Sequence, residues 1–137
     1  GQWVAASWSQ KPADPETNPF LTDHGEHVRS KSELIIANIL FRLEIPYRYE
    51  CRLRLPEGQV LHPDFTILRR KDGKVFYHEH FGMMDDPGYS QDAVSRIQLY
   101  ERNGIFPDDQ LLMSFETKNT PLRPELIEEM YLRLELA

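Results

Sequence analysis

The sequence predicts an α/β fold in which helices flank a mixed four-stranded sheet, in the order αβββαβα. Three observations lead to this prediction. Helix-period apolar patterns lie on both sides of three stretches rich in β-branched and aromatic residues. Turn sequences separate those three stretches, which favours an antiparallel meander. The second helical pattern is followed by one more strand, and a helical crossover supports parallel pairing.

The first helical pattern begins near Ser30 and ends before Pro46. Ser30 or Ser32 is the expected N-cap, and Glu33 lies near the N-terminus, where the helix dipole favours an anion. The wide apolar face of this helix consists of Leu34, Ile35, Ile36, Ile39, Leu40 and Leu43. Such a face predicts that the helix packs against the sheet.

Three strands are predicted in the next part of the chain. Residues 46–55 alternate apolar and polar side chains, which is typical of a half-exposed strand. The predicted outer face of this strand carries Arg48, Glu50, Arg52 and Arg54. Gly58 turns the chain into a second strand at 60–68, and Gly73 turns it into a third at 75–81.

The remaining elements complete the sheet and cover it. A helical pattern runs through 89–100 and is stopped by Asn103 and Gly104. Residues 110–116 are the predicted fourth strand, which should follow the helical crossover and lie parallel to the first strand. Residues 124–136 are predicted to form a closing helix.

Residues 1–27 differ from the rest of the chain. They contain prolines and tryptophans and show no regular periodicity, so we predict an arm or linker ahead of a domain at 28–137. The chain opens at Gly1 rather than at Met. We interpret this as the start of an excised fragment attached to further upstream domains.

Length and composition predict one cytoplasmic domain with no membrane partner. A chain of 137 residues is long enough for a hydrophobic core. No apolar run approaches the ~20 residues that span a bilayer, and the lone Cys51 excludes an internal disulfide and fits a reducing compartment. The net charge of −6 is unevenly distributed, because residues 29–74 hold ten Lys or Arg against six acids, whereas 83–137 hold five against eleven. The first half can therefore present a basic face to DNA.

Two carboxylates on neighbouring predicted strands are the most informative feature of the chain. Asp64 follows Pro63 in the second strand, and Glu79 lies within the third. Because the two strands form one hairpin, these side chains can converge. Burying an ionised carboxylate without a partner is costly, and a shared divalent cation would remove that cost. The pair therefore predicts a metal site, with an ordinary strand start or turn cap at Asp64 as the alternative.

Three short motifs occur in order along these predicted elements. They are Gly-Glu-His-Val-Arg-Ser-Lys-Ser-Glu at 25–33, Pro63-Asp64 in the second strand and Glu79-His80-Phe81-Gly82 in the third. With the αβββαβ order, they resemble the PD-(D/E)XK nuclease superfamily over residues 26–117. The first string is similar to the first-helix signature of small phage and bacterial members. The last is similar to the Glu-x-x-Gly variant found near the very-short-patch-repair type.

This resemblance implies a restriction-endonuclease-like core and a Mg²⁺- or Mn²⁺-dependent nuclease that hydrolyses phosphodiester bonds in DNA, in a phage, mobile-element or defence setting. Asp64 and Glu79 would be the metal ligands, and Glu33 would bind the metal directly or through water. The backbone carbonyl of His80 would complete the site. Mg²⁺ suits such a site because it keeps several waters and needs few protein ligands. The residues expected to bind nucleic acid are Arg29, Lys31, Arg69 and Arg70.

One position departs from the superfamily motif. The Glu and Lys of a Glu-x-Lys motif face the same side of a strand, but the residue two after Glu79 is Phe81. Arg96 in the second helix is the expected catalytic substitute for the lysine, with Lys31 and His80 as weaker candidates. Catalysis could instead be lost. The alternative function is therefore a catalytically silent module that binds nucleic acid or a protein partner.

Two other kinds of site receive little support from the sequence. His62, His78 and His80 suggest a zinc cluster, but structural zinc sites usually include several cysteines and Cys51 is the only thiol. A different α/β enzyme would need a phosphate-binding glycine loop or a nucleophile elbow, and the chain has neither motif.

Overall fold

A mixed four-stranded sheet with helices packed on it forms the centre of the molecule. The structure is a computed structural model that describes residues 2–12 and 14–137. Its helices are α1 (Gln2–Ala5), α2 (Lys31–Arg42), α3 (Pro87–Arg102) and α4 (Pro124–Arg133). Its strands are β1 (Phe20–Leu21), β2 (His27–Val28), β3 (Tyr47–Tyr49), β4 (Leu53–Arg54), β5 (Val60–Leu61), β6 (Phe65–Leu68), β7 (Val75–Phe81) and β8 (Leu111–Phe115). The predicted α/β class with a mixed sheet is confirmed.

The sheet follows the order of the chain, β3-β6-β7-β8. β3, β6 and β7 form the predicted antiparallel meander. β8 points in the same direction as β3, as predicted, but it hydrogen-bonds to β7 in a parallel pair rather than lying beside β3. The physical reason is that β6 already occupies the inner side of β3, while α3 returns the chain to the free edge of the strand it has just left.

The first two predicted strands are each interrupted. β3 ends at Tyr49, and Glu50 has a left-handed backbone with a φ of 51°. Pro63, which has no backbone N–H, lies between β5 and β6. Beyond these interruptions, β4 and β5 pair as a separate antiparallel ribbon. The turns at Gly58 and Gly73 lie where the sequence predicts them, with φ values of 106° and 75° that favour glycine.

The three predicted helices are present, with small shifts at their ends. The hydroxyl of Ser30 accepts a hydrogen bond from the backbone N–H of Glu33, so Ser30 is the N-cap of α2. α3 begins after the N-cap Asp86 and is followed by Gly104, whose φ is 82°. α4 ends three residues earlier than predicted. No helix in the described part of the chain is long and apolar enough to cross a membrane.

Two hydrophobic clusters cover the two faces of the sheet. Phe76 and Tyr77 are consecutive on β7 and therefore point to opposite faces. Phe76 belongs to the cluster that includes α2 and α4, whereas Tyr77 packs against the cluster that includes Tyr100 of α3. Glu79 is two residues after Tyr77 on β7, so its side chain points to the same face of the sheet, toward α3.

The segment ahead of the predicted domain contains structured parts that contact the domain. β1 and β2 form an antiparallel hairpin, and Phe20 packs against the cluster of α2 and α4. Asn18 is completely buried. The guanidinium of Arg48 lies 4.1 Å from the ring centroid of Trp3 and 5.6 Å from that of Trp8. These contacts hold the start of the chain against β3.

A buried polar network links the sheet to α4. His78 hydrogen-bonds the Tyr131 hydroxyl at 2.5 Å and Ser114 Oγ at 2.8 Å. Ser114 Oγ also bonds His80 Nδ1 at 2.7 Å, and His80 Nε2 lies 2.6 Å from Glu116 Oε1. Burial, assisted by the neighbouring His80, lowers the pKa of His78 to about 3, so its imidazole stays neutral at physiological pH. The network stabilises the face of the sheet opposite to Glu79.

Removing the N-cap of α2 should destabilise the domain. In Ser30→Ala the backbone N–H of Glu33 loses its side-chain acceptor, and we expect the free energy of unfolding to fall by about 1 kcal/mol. Urea denaturation followed by circular dichroism measures this change. Ser95→Ala, at an exposed position of α3, is the control and should change the free energy of unfolding by less than ~0.5 kcal/mol. Equal losses in the two variants would contradict the capping role.

Candidate active site

A cavity of about 420 Å³ opens where Asp64 precedes β6 and β7 ends, beside α3 and the start of α2. Its charged lining consists of five acids, Glu33, Glu50, Asp64, Glu79 and Asp92, and three cations, Lys11, Arg29 and Arg96. With neutral histidines, the lining therefore carries a formal charge of −2. This excess favours a cationic ligand.

The structure brings Asp64 and Glu79 together, as the sequence predicts. β6 and β7 pair Phe65 with His78, so Asp64 lies just outside the ladder and beside Glu79. The backbone N–H of Asp64 donates to Glu79 Oε1 at 3.2 Å. In return, the backbone N–H of His80 donates to Asp64 Oδ2 at 2.7 Å. These two bonds hold both carboxylates at the same end of the hairpin.

Glu79 is held in place by two residues of α3. Arg96 Nε donates to Glu79 Oε2 at 2.5 Å, and the Tyr100 hydroxyl donates to the same oxygen at 2.6 Å. The two donors are four residues apart, so they share one helix face. Burial, followed by the charge of Glu79, raises the pKa of Tyr100, so its hydroxyl stays protonated and continues to donate. The side chain of Glu79 is therefore held in one orientation.

No side chain of the described residues donates a hydrogen bond to Asp64, although the charge of Arg96 partly lowers its pKa. Its Oδ2 accepts the His80 N–H, whereas its Oδ1 receives no hydrogen bond within the described residues. Burial raises the pKa of Asp64 well above its usual range, and the charges of Glu79 and Glu33 raise it further. A cation beside Asp64 would oppose all three effects.

Glu33 reaches the cavity from the first turn of α2. Its Oε1 accepts hydrogen bonds from the Tyr49 hydroxyl at 2.8 Å and from the Arg29 backbone N–H at 3.0 Å. Burial raises the pKa of Glu33 and the charge of Glu50 adds to this effect, although both hydrogen bonds oppose it. Glu33 is thus a third carboxylate on the wall that contains Asp64.

Glu50 lines the cavity, so the predicted position of its side chain on the outer face of the first strand is wrong. Its side chain is buried, with Oε2 2.7 Å from Arg29 Nε. The alternation predicted for residues 46–55 fails here because the left-handed backbone at Glu50 turns the chain. No signal in the sequence indicates this conformation, since glutamate rarely adopts it.

Lys11 also lines the cavity, although it lies in the predicted arm. Its backbone N–H donates to the carbonyl of Glu50 at 3.2 Å, and the N–H of Arg52 donates to the carbonyl of Ser9 at 2.8 Å. Gln10 and Cys51 form an antiparallel bridge between the same two segments. The start of the chain therefore extends the backbone pairing next to the site and carries Lys11 with it.

Of the residues predicted to bind nucleic acid, only Arg29 lies at the cavity. Lys31 is exposed at the first position of α2. Arg69 lies beyond the far end of β6 from Asp64, where it bonds Asp72 and the carbonyl of Leu134. Arg70 is exposed beside Arg69. The structure thus separates these four basic residues into two regions.

Among the residues predicted to replace the missing lysine, Arg96 lines the cavity and Lys31 does not. The Phe81 ring stacks on Phe115 with centroids 5.4 Å apart. Arg96 is paired with Glu79, and the His80 ring bonds Ser114 and Glu116 on the other face of the sheet. The backbone N–H of His80 donates to Asp64 Oδ2, and the predicted role of its backbone carbonyl as a metal ligand stays a prediction.

The donor set fits a hard divalent cation with few protein ligands. Among the described residues, no three His, Cys, Asp or Glu side chains converge closely enough to bind one metal ion. Mg²⁺ does not need such a group, because it retains waters and binds through one or two carboxylates. Asp64 Oδ1, which has no hydrogen-bond donor within the described residues, and the adjacent Glu79 meet that requirement.

Comparison with known proteins identifies a relative without assigning a family. The chain is 29% identical over 113 residues to an uncharacterized protein of Methanocaldococcus jannaschii. The match covers 82% of this chain and 9% of the relative, so the chain spans less than a tenth of that protein. No model of a known protein family matches the chain. No solved structure matches it either.

Replacing Asp64 by Asn should stabilise the metal-free protein at neutral pH. Because the pKa of Asp64 is higher in the folded than in the unfolded state, the wild type loses folding free energy as the pH rises from about 4, the pKa of an unfolded Asp, through the folded pKa. Asn cannot ionise, so the advantage of Asp64→Asn should be present at neutral pH and shrink toward acid.

Urea unfolding across a pH series without divalent ions measures this advantage. Asp109→Asn is the matched control, because Asp109 is exposed and pairs with Lys74 outside the cavity. We expect this control to show no stabilisation at any pH. An advantage of Asp64→Asn that stays constant with pH would contradict a raised pKa at Asp64.

Proposed function

We propose that this domain is a Mg²⁺- or Mn²⁺-dependent nuclease with a restriction-endonuclease-like fold, which hydrolyses phosphodiester bonds in DNA. The observation that supports this proposal most strongly is the convergence of Asp64 and Glu79 on one cavity, where Asp64 has a raised pKa. A lining with excess negative charge repels a phosphate group. A divalent ion between the carboxylates and the phosphate would relieve this repulsion and also the repulsion between Asp64 and Glu79.

In this proposal some groups of the cavity bind the ion and other groups orient those ligands. Asp64 and Glu79 would hold the ion, with Glu33 bound through water and the backbone carbonyl of His80 as a further ligand. A bound Mg²⁺ or Mn²⁺ supplies Lewis acidity toward the phosphodiester and favours ionisation of water. Arg96 orients Glu79 through its hydrogen bond to Oε2, and the paired backbone N–H groups orient Asp64. Held carboxylates reduce the cost of organising the site when substrate binds.

Lys11 is our preferred contact for the phosphate. It is exposed at the cavity and forms no ion pair with another described residue. Arg29 and Arg96, by contrast, are paired with Glu50 and Glu79. Burial alone would lower the pKa of Arg96, but the charge of Glu79 raises it, so Arg96 stays charged and cannot accept a proton. The ammonium of Lys11 would then replace the lysine of the Glu-x-Lys motif, whose position in this chain is occupied by Phe81.

A catalytically silent module that binds nucleic acid or a protein partner is the second candidate function. Two observations favour it. Both oxygens of Glu79 already accept hydrogen bonds, and an apolar ring occupies the position of the missing lysine. Metal binding without cleavage of single- or double-stranded substrates would support this candidate over the nuclease.

We also propose that the domain works inside a longer cytoplasmic protein. The segment that matches the relative from Methanocaldococcus jannaschii makes up 9% of that protein, which supports attachment to further domains. Cys51 is free and buried, in keeping with a reducing compartment.

Loss of either central acid should abolish cleavage. Asp64→Ala and Glu79→Ala each remove a proposed metal ligand. Loss of a residue that only supports a metal ligand costs up to ~100-fold in affinity or activity. We therefore expect Mg²⁺-dependent nicking of plasmid DNA to fall more than ~100-fold in each variant. The double variant should be little worse than either single variant, because the residues act as a unit. Asp109→Ala is the control and should cleave normally. Normal cleavage by Asp64→Ala would refute the assignment.

Loss of Lys11 should weaken DNA binding in a salt-dependent way. On an Asp64→Ala background, which prevents cleavage, Lys11→Ala should reduce the slope of log affinity against log salt concentration by about 1. Fluorescence anisotropy with a labelled duplex at several salt concentrations measures the slope. Lys118→Ala, an exposed lysine that does not line the cavity, is the control. A slope that is unchanged by Lys11→Ala would exclude Lys11 as a phosphate contact.

A further inference from the structure

Glu50 combines two unfavourable features in one residue. Its backbone has a φ of 51°, a left-handed conformation that glutamate rarely adopts. Its side chain is only 6% exposed, and its Oε1 is buried without a hydrogen-bond partner within the described residues. Buried carboxylate oxygens in native proteins are normally bonded, so an unpartnered one points to a ligand.

The position of Glu50 indicates which kind of ligand this is. The backbone N–H of Glu50 donates to the carbonyl of Asp64 at 3.0 Å, which ties the two acids to one part of the cavity wall. Arg29 links Glu50 to Glu33, because its Nε donates to Glu50 Oε2 at 2.7 Å and its backbone N–H donates to Glu33 Oε1 at 3.0 Å. Arg29 neutralises one acid here, but the cavity lining still carries a formal charge of −2. Oxygen donors with excess negative charge select a hard divalent cation.

We propose that Glu50 is a ligand for a divalent cation in this cavity, through Oε1. Its other oxygen, Oε2, stays with Arg29, which orients the carboxylate. Glu79 differs, because both of its oxygens already accept hydrogen bonds. Glu50 Oε1 and Asp64 Oδ1, by contrast, are carboxylate oxygens without a hydrogen bond from a described residue, and water would complete the coordination of a cation bound there. This inference takes the presence of a cation from the proposed function but does not require DNA cleavage.

Titration of the intact chain with Mn²⁺ tests the proposal. Calorimetry and the loss of the free-ion electron paramagnetic resonance signal should show binding to the wild type and at least a ~10-fold weaker affinity for Glu50→Gln. Glu57→Gln is the matched control, because Glu57 also pairs with an arginine, Arg102, but lies outside the cavity. Its affinity should match the wild type.

The possible outcomes separate this inference from the nuclease proposal. Wild-type affinity in Glu50→Gln would overturn the role of Glu50, whatever the cleavage assays show. Absence of Mn²⁺ binding by the wild type would overturn both proposals. Glu50-dependent Mn²⁺ binding without cleavage of any DNA would support the role of Glu50 and contradict the nuclease.

A crystal of the wild type soaked in Mn²⁺ decides the question even if Glu50→Gln fails to fold. An anomalous peak within ~2.0–2.6 Å of Glu50 Oε1, the range of oxygen ligands to such ions, would support the proposal. A water at Oε1, with Mn²⁺ bound elsewhere, would overturn it.

Discussion

The antiparallel register of β6 with β7 is the constraint on which the site depends. Pairing of Phe65 with His78 leaves Asp64 beside Glu79, and reciprocal backbone N–H bonds then hold both carboxylates. A slip by one residue would send every side chain of a strand to the opposite face. Burial of Phe65 and Phe76 in the cluster of α2 and α4 opposes that slip. Core packing on one face of the sheet therefore positions the acids on the other.

Charge balance is the second constraint. Two acids of the cavity are neutralised locally, since Glu50 pairs with Arg29 and Glu79 pairs with Arg96. Both glutamates of these pairs are buried, so removal of the arginine leaves a buried charge without its partner. No ion pair among the described residues neutralises Asp64 or Glu33. The unbalanced charge is therefore concentrated where α2 approaches the β6–β7 hairpin.

His80 connects this charged cavity to the buried polar network behind it. Its backbone N–H holds Asp64, while its ring bonds Ser114 and Glu116 across the sheet. Ser32 of α2 also donates to Glu116, so the helix that carries Glu33 is joined to the same network. Such satisfied networks rigidify a core. Carboxylates supported in this way are organised before a ligand arrives, which is the condition for precise binding.

The sequence by itself determined the kinds and order of the main elements, a serine cap at Ser30 or Ser32 and the convergence of Asp64 with Glu79. Each depends on short-range physics, because helical spacing, a capping hydroxyl and a hairpin turn act over a few residues. Only the tertiary structure decided the neighbour of β8, the inward position of Glu50 and the place of Lys11 at the cavity. The side chain of Glu50 points inward because of a backbone conformation that no residue pattern predicts. Lys11 lies at the cavity because its segment pairs with a segment about forty residues away. Contacts between distant segments depend on which surfaces meet when the chain folds, and local periodicity carries no information about that meeting.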